Sequence, residues 1–390
     1  LISINSFILI TFLAPVIYML WRFINFSRSL GSFFQSWDVF GLLFNTVSVF
    51  FAVVLSSLLI GLLISIVTVR FEFPGSKIMF TLCALPLVIP SYIGALTYIS
   101  AFSPKGLFVQ IFSSFGLDEI RGIEGFLGSW LVLTLFTYPY VQLICSSALR
   151  NLDSTVEDAA RSLGVNQLKV YTNVVIPRLK KPIIYSSLLV GLYVISDFGA
   201  VSLMRYSTVT KAIYAYYEFS ILGDPVIFYS SLLIVLALII SFVQRGSATS
   251  RSAKVSGTPR IPKKIKLDRN GKIIIYSFLG FVIFLGLVIP ISVLSFWLFR
   301  GIYYGNDVSS SLPGIFGSFS AAIVTSIFAI IISMPIVILI SQYKSKFGDI
   351  LEKLMLSLYG LPHLAVGVSI LFISVKIFPS VYQSFFALVI

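Results

Sequence analysis

The stretch VFGLLFNTVSVFFAVVLSSLLIGLLISIVTV, residues 39–69, contains no charged side chain. The hydrocarbon core of a bilayer is about 30 Å thick, and a helix needs about 20 mostly apolar residues to cross it. This stretch exceeds that requirement. It therefore predicts a membrane-spanning helix, for which the bilayer and not water is the main solvent.

Other segments of the chain share this character. Residues 182–204 contain only one charged side chain, Asp197, and seven further segments contain none: 1–21, 78–104, 125–149, 225–244, 273–299, 308–343 and 354–375. The uncharged residues 377–390 begin another such segment. We expect nine complete spans and the start of a tenth. Because the segments are long and do not alternate in polarity, they predict a helical bundle and not a β-barrel.

The distribution of charge predicts the orientation of these spans. The chain is 57% hydrophobic and 11% charged, with a net charge of +13. If the N-terminus is cytoplasmic, 20 of the 28 Lys and Arg residues fall in the inside loops 70–77, 150–181, 245–272 and 343–353, as the positive-inside rule requires. The positive charge then suits an anionic inner leaflet, and no nucleic-acid partner is expected. The first span lacks the features of a removable signal peptide, so we expect it to be retained.

A basic segment rich in Gly, Ser and Pro divides the chain into two similar parts. Residues 245–271 predict a solvated cytoplasmic linker between a first module, 1–244, and a second module, 272–390. The sequence MFTLCALP at Met79–Pro86 matches MLSLYGLP at Met355–Pro362 without a gap. Since transporters commonly contain internal repeats, we expect two modules of about six spans each. The second is expected to be truncated, because the chain ends within an apolar run.

The loop 150–182 predicts a short helix on the cytoplasmic side. Ser154 and Glu157 have the spacing of a capping box, in which side chains bind the free N–H groups of a helix start. Glu157 and Asp158 also suit the positive end of the helix dipole. Gly164 predicts the end of this helix. A small apolar patch is expected from Ala159, Ala160 and Leu163.

A second short helix is expected over about Gln167–Val175, ended by Pro177. Together the two helices resemble the signature loop of binding-protein-dependent ABC importer permeases, which has Glu-Ala-Ala, three residues, Gly, nine residues and a closing hydrophobic-x-Pro. The matching residues are Glu157, Asp158, Ala159, Ala160, Gly164, Ile176 and Pro177, and the presence of Asp158 departs from the Glu-Ala-Ala element.

This resemblance implies a fold, a location and partners. It implies an all-α polytopic membrane protein of the type I ABC importer permease kind, with two tandem modules, in the bacterial inner membrane. The loop would be a coupling helix that docks on separate ABC ATPase subunits, of which two are expected, and a substrate-binding protein would deliver the solute. No segment matches the phosphate-binding pattern G-x-x-x-x-G-K-[ST]. We therefore expect no catalytic residue and no cofactor in this chain, with ATP bound by the partner.

The residues at the end of the fifth span and just after it resemble one group of these permeases in particular. The segments ISDFGAVSLM, 195–204, and TVTKAIY, 208–214, look like those of ferric-iron importer permeases. The resemblance implies iron as the solute, although sister permeases for thiamine, sulfate, molybdate or polyamines share much of the layout. No histidine, cysteine or acidic cluster has the spacing of a metal site, and in this family the external binding protein selects the substrate.

Candidate residues of the translocation pathway are those that are costly to bury in lipid or that break a helix. A charged group within a span usually faces a cavity or a partner, which makes Asp197 a candidate, with Arg205 as a neighbouring basic residue. Asp197 equally fits a carboxylate that caps a helix end. The remaining candidates are Gly199, Pro86, Pro90 and Pro362, and the three prolines either expose backbone carbonyls to a solute or simply kink their helices.

Two other function classes stay open at this point. An ion-gradient-driven secondary transporter also has repeats and midplane sites, and Asp197 would then be its coupling carboxylate. An intramembrane enzyme would need a nucleophile and a base, for which Ser369 and His363 are the available pair. Their separation of six residues places them on different faces of a helix.

Overall fold

The computed structural model describes most of the chain. The described residues are 2–25, 38–103, 106–113, 122–152, 155–219, 224–248, 264–343, 347–348, 350–351, 355, 363–377, 379–380, 382 and 384–385.

Helices account for nearly all of the described part of the first 219 residues. In chain order they are α1 Ile2–Ile24, α2 Val39–Arg70, α3 Ser76–Ala84, α4 Ser91–Phe102, α5 Leu107–Ser113, α6 Gly125–Arg150, α7 Thr155–Ser162, α8 Gln167–Val170, α9 Ile176–Arg178, α10 Lys180–Ser196, α11 Gly199–Leu203 and α12 Val209–Phe219. A 3₁₀ turn, Leu85–Val88, follows α3, and a π-helical turn, Tyr171–Val175, joins α8 to α9.

The rest of the described chain is also helical. It contains α13 Asp224–Ala248, α14 Arg269–Ile283, α15 Ile289–Tyr303, α16 Leu312–Gln342 and α17 His363–Ile377. A π-helical turn, Phe284–Val288, joins α14 to α15, and a 3₁₀ turn, Val308–Ser311, precedes α16. Two short strands, β1 Phe71–Glu72 and β2 Ile265–Lys266, pair in parallel.

Each of the nine predicted complete spans has a helical counterpart among the described residues. Five helical segments are long and apolar enough to cross a membrane: Ser3–Ile24, Val39–Arg70, Gly125–Arg150, Arg269–Tyr303 and Ser309–Gln342. Two bent pairs of helices are long and apolar enough only when joined, each as a broken span or a re-entrant loop: Ser76–Val88 meets the helix that begins at Ser91 at 94°, and Tyr171–Arg178 meets Lys180–Ser196 at 63°. Shorter apolar helices, Asp224–Ile240 and His363–Lys376, cover the remaining two. The prediction of an all-α polytopic membrane protein is confirmed.

One compact unit, residues 41–208 with 240–296, contains α6 and nearly all of α2. The two helices meet at Gly61, where an added Cβ would lie 2.6 Å from the Val141 Cβ and 2.8 Å from the Tyr138 carbonyl oxygen. The buried hydroxyls of Ser57 and Thr137 lie 3.0 Å apart and share a hydrogen bond. Small residues and interhelical hydrogen bonds are how helices associate in lipid, where no hydrophobic effect drives them together.

Helix α14 belongs to the same unit. Its Leu279 packs in a buried cluster with Ile64, Cys83 and Tyr138. The segment just before α14 is also ordered, because β2 pairs with β1 and the Asp268 carboxylate accepts a hydrogen bond of 3.0 Å from the Gly271 backbone N–H. The last residues of the predicted linker therefore depart from a solvated tether. They have backbone and side-chain partners in the loop that follows α2.

The other compact unit contains residues 1–40, 209–239 and 297–390. Within it α1 packs on α16 and α17: the Asn5 amide donates a hydrogen bond of 3.1 Å to the Pro335 carbonyl, and the Tyr18 and Phe372 rings lie 6.5 Å apart. Helix α1 therefore packs against helices that lie more than 300 residues later in the chain. The predicted modules, 1–244 and 272–390, stay a prediction.

The predicted internal repeat stays a prediction. Helices α2 and α16, which would be equivalent, contain 32 and 31 residues. The second copy of the matching motif, Met355–Pro362, lies outside the described residues except for Met355. Pro362, a candidate pathway residue, lies outside them as well.

Candidate functional site

The 150–182 loop folds back against the ends of two long helices. Tyr171, Val175 and Leu179 form a small buried core with Leu149 of α6. Ile66 and Val69 of α2 pack at the edge of this core. A displacement of the loop would therefore be transmitted to the ends of both α2 and α6.

Helix α7 is tied to α2 by a buried ion pair. The Arg70 Nη2 lies 2.6 Å from the Glu157 Oε1, and only 2% of each side chain is exposed. Arg161, one turn along α7, lies 3.7 Å from the other Glu157 oxygen and 3.6 Å from the Asp158 Oδ1. Glu157 thus points toward the bundle, whereas the side chain of its neighbour Asp158 is 58% exposed.

The setting of this ion pair has an electrostatic consequence. Burial raises the pKa of the Glu157 carboxyl above its usual value, because loss of water disfavours the charged form, and the Arg70 and Arg161 guanidinium groups oppose that rise. Among the described residues the Arg70 Nε and Nη1 atoms have no hydrogen-bond partner. Removal of the Glu157 charge would leave the Arg70 charge buried and uncompensated, whereas Glu157 keeps Arg161 nearby if the Arg70 charge is removed.

Gly164 ends α7, as predicted. Its φ angle is +77°, in the left-handed region. The Gly164 N–H donates to the Arg161 carbonyl at 2.9 Å and the Val165 N–H donates to the Ala160 carbonyl at 3.1 Å, which is a Schellman motif. An added Cβ would meet no heavy atom within 4 Å, so the space around this turn is open. Ser154 lies outside the described residues, and the predicted capping box stays a prediction.

The outer face of the loop is apolar and exposed. The Leu163 side chain is 84% exposed, Val165 is 37% exposed and Ile176 is 36% exposed. Ala159 is exposed and Ala160 is half-buried. Exposed apolar side chains on a firmly attached loop are typical of a surface that a partner covers.

The expected helix end at Pro177 is wrong. Pro177 lies inside α9, and the helical run ends at Leu179, where the chain bends into α10. Proline removes one backbone donor and crowds the preceding turn. Pro177 is one of the first residues of α9, which follows the π-helical turn Tyr171–Val175.

Asp197 caps the short helix α11. Its Oδ1 accepts a hydrogen bond of 2.9 Å from the Ala200 N–H, and its Oδ2 accepts a short hydrogen bond from the Ser91 hydroxyl. Ser91 is the first residue of α4, so the carboxylate joins the start of α4 to the start of α11. The structure thus shows the capping geometry that the sequence left as one of two alternatives.

The other pathway candidates lie at two different places. An added Cβ at Gly199 would lie 2.5 Å from the Tyr92 Cβ, so α11 and α4 approach closely there. Pro90 is the residue before α4 and is exposed, next to the Asp197 partner Ser91. Pro86 is buried in the 3₁₀ turn. The structure therefore brings Asp197, Gly199 and Pro90 together and places Pro86 deeper in the bundle.

Side chains of α6 satisfy the backbone carbonyls of the broken helix at Pro86. The Tyr138 hydroxyl donates to the Cys83 carbonyl at 2.7 Å, and the Gln142 amide donates to the Phe80 carbonyl at 2.8 Å. Irregular backbone at membrane depth requires such partners. These two carbonyls therefore already hold hydrogen bonds within the bundle.

The remaining charged and nucleophilic candidates are Arg205, Ser369 and His363. The Arg205 guanidinium lies 3.3 Å from the Glu124 carboxylate. The Ser369 hydroxyl donates to the Ala365 carbonyl of its own helix at 2.7 Å. His363 lines an apolar pocket of about 250 Å³ within its compact unit.

Sequence reasoning missed Arg70 and Ser91. Arg70 follows the long uncharged run and reads as an ordinary basic residue at the inner end of a span. Its partner Glu157 lies 87 positions away, and Ser91 lies 106 positions from Asp197. A serine or an arginine carries no local pattern that indicates such a distant contact, so only the fold reveals these pairs.

The chain is similar to known transport proteins. Residues 57–250 match the family described as binding-protein-dependent transport system inner membrane component. The Fe(3+)-transport system permease protein FbpB 2 of Haemophilus influenzae is 26% identical over 384 residues, which cover 96% of this chain and 72% of that protein. The sulfate transport system permease protein CysT of Salmonella typhimurium is 30% identical over 141 residues, 36% of this chain and 50% of that protein. CysT of Escherichia coli is 28% identical over 141 residues, again 36% of this chain and half of that protein.

Proposed function

From the premise that this chain is a permease component of the binding-protein-dependent ABC transport family, we propose that it forms the transmembrane pathway of an ATP-driven importer. Separate ATPase subunits bind and hydrolyse ATP. A substrate-binding protein delivers the solute on the opposite side of the membrane. The N-terminus of the chain is cytoplasmic in this proposal, which puts the 150–182 loop on the side where ATP is available.

The observation that carries this proposal is the two-sided character of α7. One side is fastened to the bundle through Glu157 and Arg70. The other side exposes Leu163 beside the open turn at Gly164. A helix that is rigidly attached on one side and apolar and exposed on the other is suited to transmit the movement of a docked partner.

The contacts of the loop suggest how movement would pass into the membrane. A docked ATPase subunit covers Ala159, Leu163 and Gly164, and its closure displaces α7. The Arg70–Glu157 pair passes this displacement to α2, and the core around Tyr171 passes it to α6. Because α2 and α6 are closely packed at Gly61, the two helices shift together.

We infer ferric iron as the transported solute. The named iron-transport relative aligns with 96% of this chain, and the Asp197 segment resembles that of ferric-iron permeases. In this proposal Asp197, Gly199 and Pro90 lie along the pathway, and the binding protein selects the metal. Sulfate is the second candidate, because two sulfate permeases are 30% and 28% identical to shorter parts of the chain.

The test compares wild type with Gly164→Arg, which puts a bulky charge at the docking turn. The chain is co-expressed with its ATPase, and binding-protein-stimulated ATP hydrolysis and ⁵⁵Fe uptake are measured in proteoliposomes. Gly305→Arg is the matched control, because Gly305 has a φ angle of +79° in a similar Schellman turn after α15 and nothing lies within 4 Å of its added Cβ. We expect Gly164→Arg to insert normally and lose stimulation, with the control unaffected.

Unchanged uptake in Gly164→Arg would exclude the loop as the docking site. Uptake that follows an ion gradient and needs no ATPase would instead favour a secondary transporter. Replacing the iron-loaded binding protein by a sulfate-loaded one distinguishes the two solute candidates, since only the correct loaded protein stimulates hydrolysis.

A further inference from the structure

A basic pocket lies beside the start of the 150–182 loop, between the ends of three helices. It has a volume of about 450 Å³ and lies where α2 and α6 end and α3 begins. Lys77, Arg150 and Lys264 line it together with the hydroxyl residues Ser76 and Thr81 and the ring of Phe80. The described lining residues include no carboxylate.

The three cations of this pocket are not neutralised by the described protein. Within the described ranges no carboxylate lies within 4.0 Å of Lys77, Arg150 or Lys264. The Arg150 guanidinium lies 4.9 Å from the centre of the Phe80 ring. A guanidinium held over an aromatic ring can still donate its N–H groups to a ligand. Three positive charges around one pocket indicate an anion.

The start of α3 adds to the positive potential of the pocket. Gly75 precedes this helix with no side-chain cap, so the first backbone N–H groups have no side-chain partner there. Backbone N–H groups at a helix start favour an anion. Ser76 supplies a hydroxyl group nearby, whereas the Thr81 hydroxyl donates to the Lys77 carbonyl of its own helix at 3.1 Å. These are the donors that a phosphate group binds.

The position of the pocket identifies the source of the phosphate. Arg70 and Arg150 end two candidate spans, so the pocket lies where the hydrocarbon core gives way to the headgroup region. Ile78, beside Lys77, is 65% exposed and offers apolar surface for an acyl chain. We propose that the pocket binds the phosphate group of an anionic phospholipid. Basic pockets between membrane helices are suited to such headgroups.

Lys264 gives this binding a structural consequence. It directly precedes β2, at the end of the predicted linker, whereas Lys77 and Arg150 belong to α3 and α6. A bound headgroup therefore joins the end of the linker to two helices of the same compact unit. The lipid would stabilise the β1–β2 pair.

The test is native mass spectrometry of the purified full chain titrated with phosphatidylglycerol or with neutral phosphatidylcholine. The pocket variant is Lys77→Gln/Arg150→Gln/Lys264→Gln. The matched control, Lys169→Gln/Lys180→Gln/Lys181→Gln, removes the same charge from the 150–182 loop. Each charge near an anionic lipid contributes about fivefold in affinity, so we expect the pocket variant to bind phosphatidylglycerol on the order of a hundredfold more weakly. The control should bind as wild type does.

Two results would overturn the proposal. Equal loss of phosphatidylglycerol in the pocket variant and the control would show a general charge effect. Pocket-dependent binding of inorganic phosphate with no preference for phosphatidylglycerol over phosphatidylcholine would show that the ligand comes from solution. The single variant Lys77→Gln, with an expected loss of about fivefold, keeps the test valid if the triple variant does not fold.

Discussion

The Arg70 guanidinium lies 2.6 Å from the Glu157 carboxylate, with 2% of each side chain exposed. This pair joins the end of a candidate span to the short helix that carries the exposed Leu163. Position and burial together make it the most direct described link between the 150–182 loop and the bundle.

Glu157→Gln should destabilise the chain strongly. It leaves the buried Arg70 charge without compensation, and the expected loss in the free energy of unfolding is about 3–5 kcal/mol. Denaturant unfolding in detergent measures it. Asp158→Asn is the control, because Asp158 is 58% exposed and its contact with Arg161 contributes about 1 kcal/mol or less. The exchange Arg70→Glu/Glu157→Arg should recover part of the loss. Equal stability of Glu157→Gln and Asp158→Asn would contradict a stabilising role of the Arg70–Glu157 ion pair.

Leu163→Asp should weaken docking of the ATPase subunit and leave the fold intact. The side chain is 84% exposed in the chain alone, so its change costs little stability. If a partner covers it, loss of one buried leucine costs about 1.5–3 kcal/mol, which is roughly ten- to a hundredfold in affinity. Pull-down of the ATPase and thermal unfolding check the two parts. Undiminished capture of the ATPase would remove Leu163 from the interface.

Asp197→Asn and Asp197→Ala should separate capping from transport. Asparagine retains an oxygen that can accept from the Ala200 N–H, whereas alanine removes it, so only alanine should lower stability, by about 0.5–2 kcal/mol. If the charge serves the pathway, uptake falls in the asparagine variant as well. Thermal unfolding and ⁵⁵Fe uptake in proteoliposomes provide the two readouts. Normal uptake by Asp197→Asn would leave Asp197 with the structural role alone.

Gly199→Ala should destabilise the contact between α11 and α4. The new Cβ would lie 2.5 Å from the Tyr92 Cβ, and such overpacking typically costs about 1–3 kcal/mol. Gly280→Ala is the control, because no heavy atom lies within 4 Å of a Cβ there. Thermal unfolding of both variants gives the comparison. A melting temperature for Gly199→Ala equal to that of the control would show that the helices separate easily.

The sequence predicts those parts of the structure that depend on local pattern. Uncharged runs locate the spans because burial of charge in lipid is costly, and Gly164 marks a helix end because a left-handed turn favours glycine. The position of Pro177 inside a helix was not predictable in this way. Its helical run continues to Arg178 after a π-helical turn, and no local rule indicates where such a turn forms.

Contacts between distant residues account for the rest of the difference. Asp197 fitted both a cap and a pathway residue until Ser91 was seen beside it. The linker read as solvated from its composition, yet Ile265 pairs with Phe71 in a two-residue strand. Both outcomes depend on which helices become neighbours, and hydropathy does not contain that information.

The packing of α1 has a consequence for synthesis of the chain. Its Asn5 binds the Pro335 carbonyl, 330 residues later. At roughly 5–20 residues per second the ribosome needs roughly 15–65 s to make the intervening chain. During that time α1 resides in the bilayer without these partners, which its mean hydropathy of 2.0 allows. The order of translation therefore requires this helix to be stable in lipid alone before it becomes part of a unit.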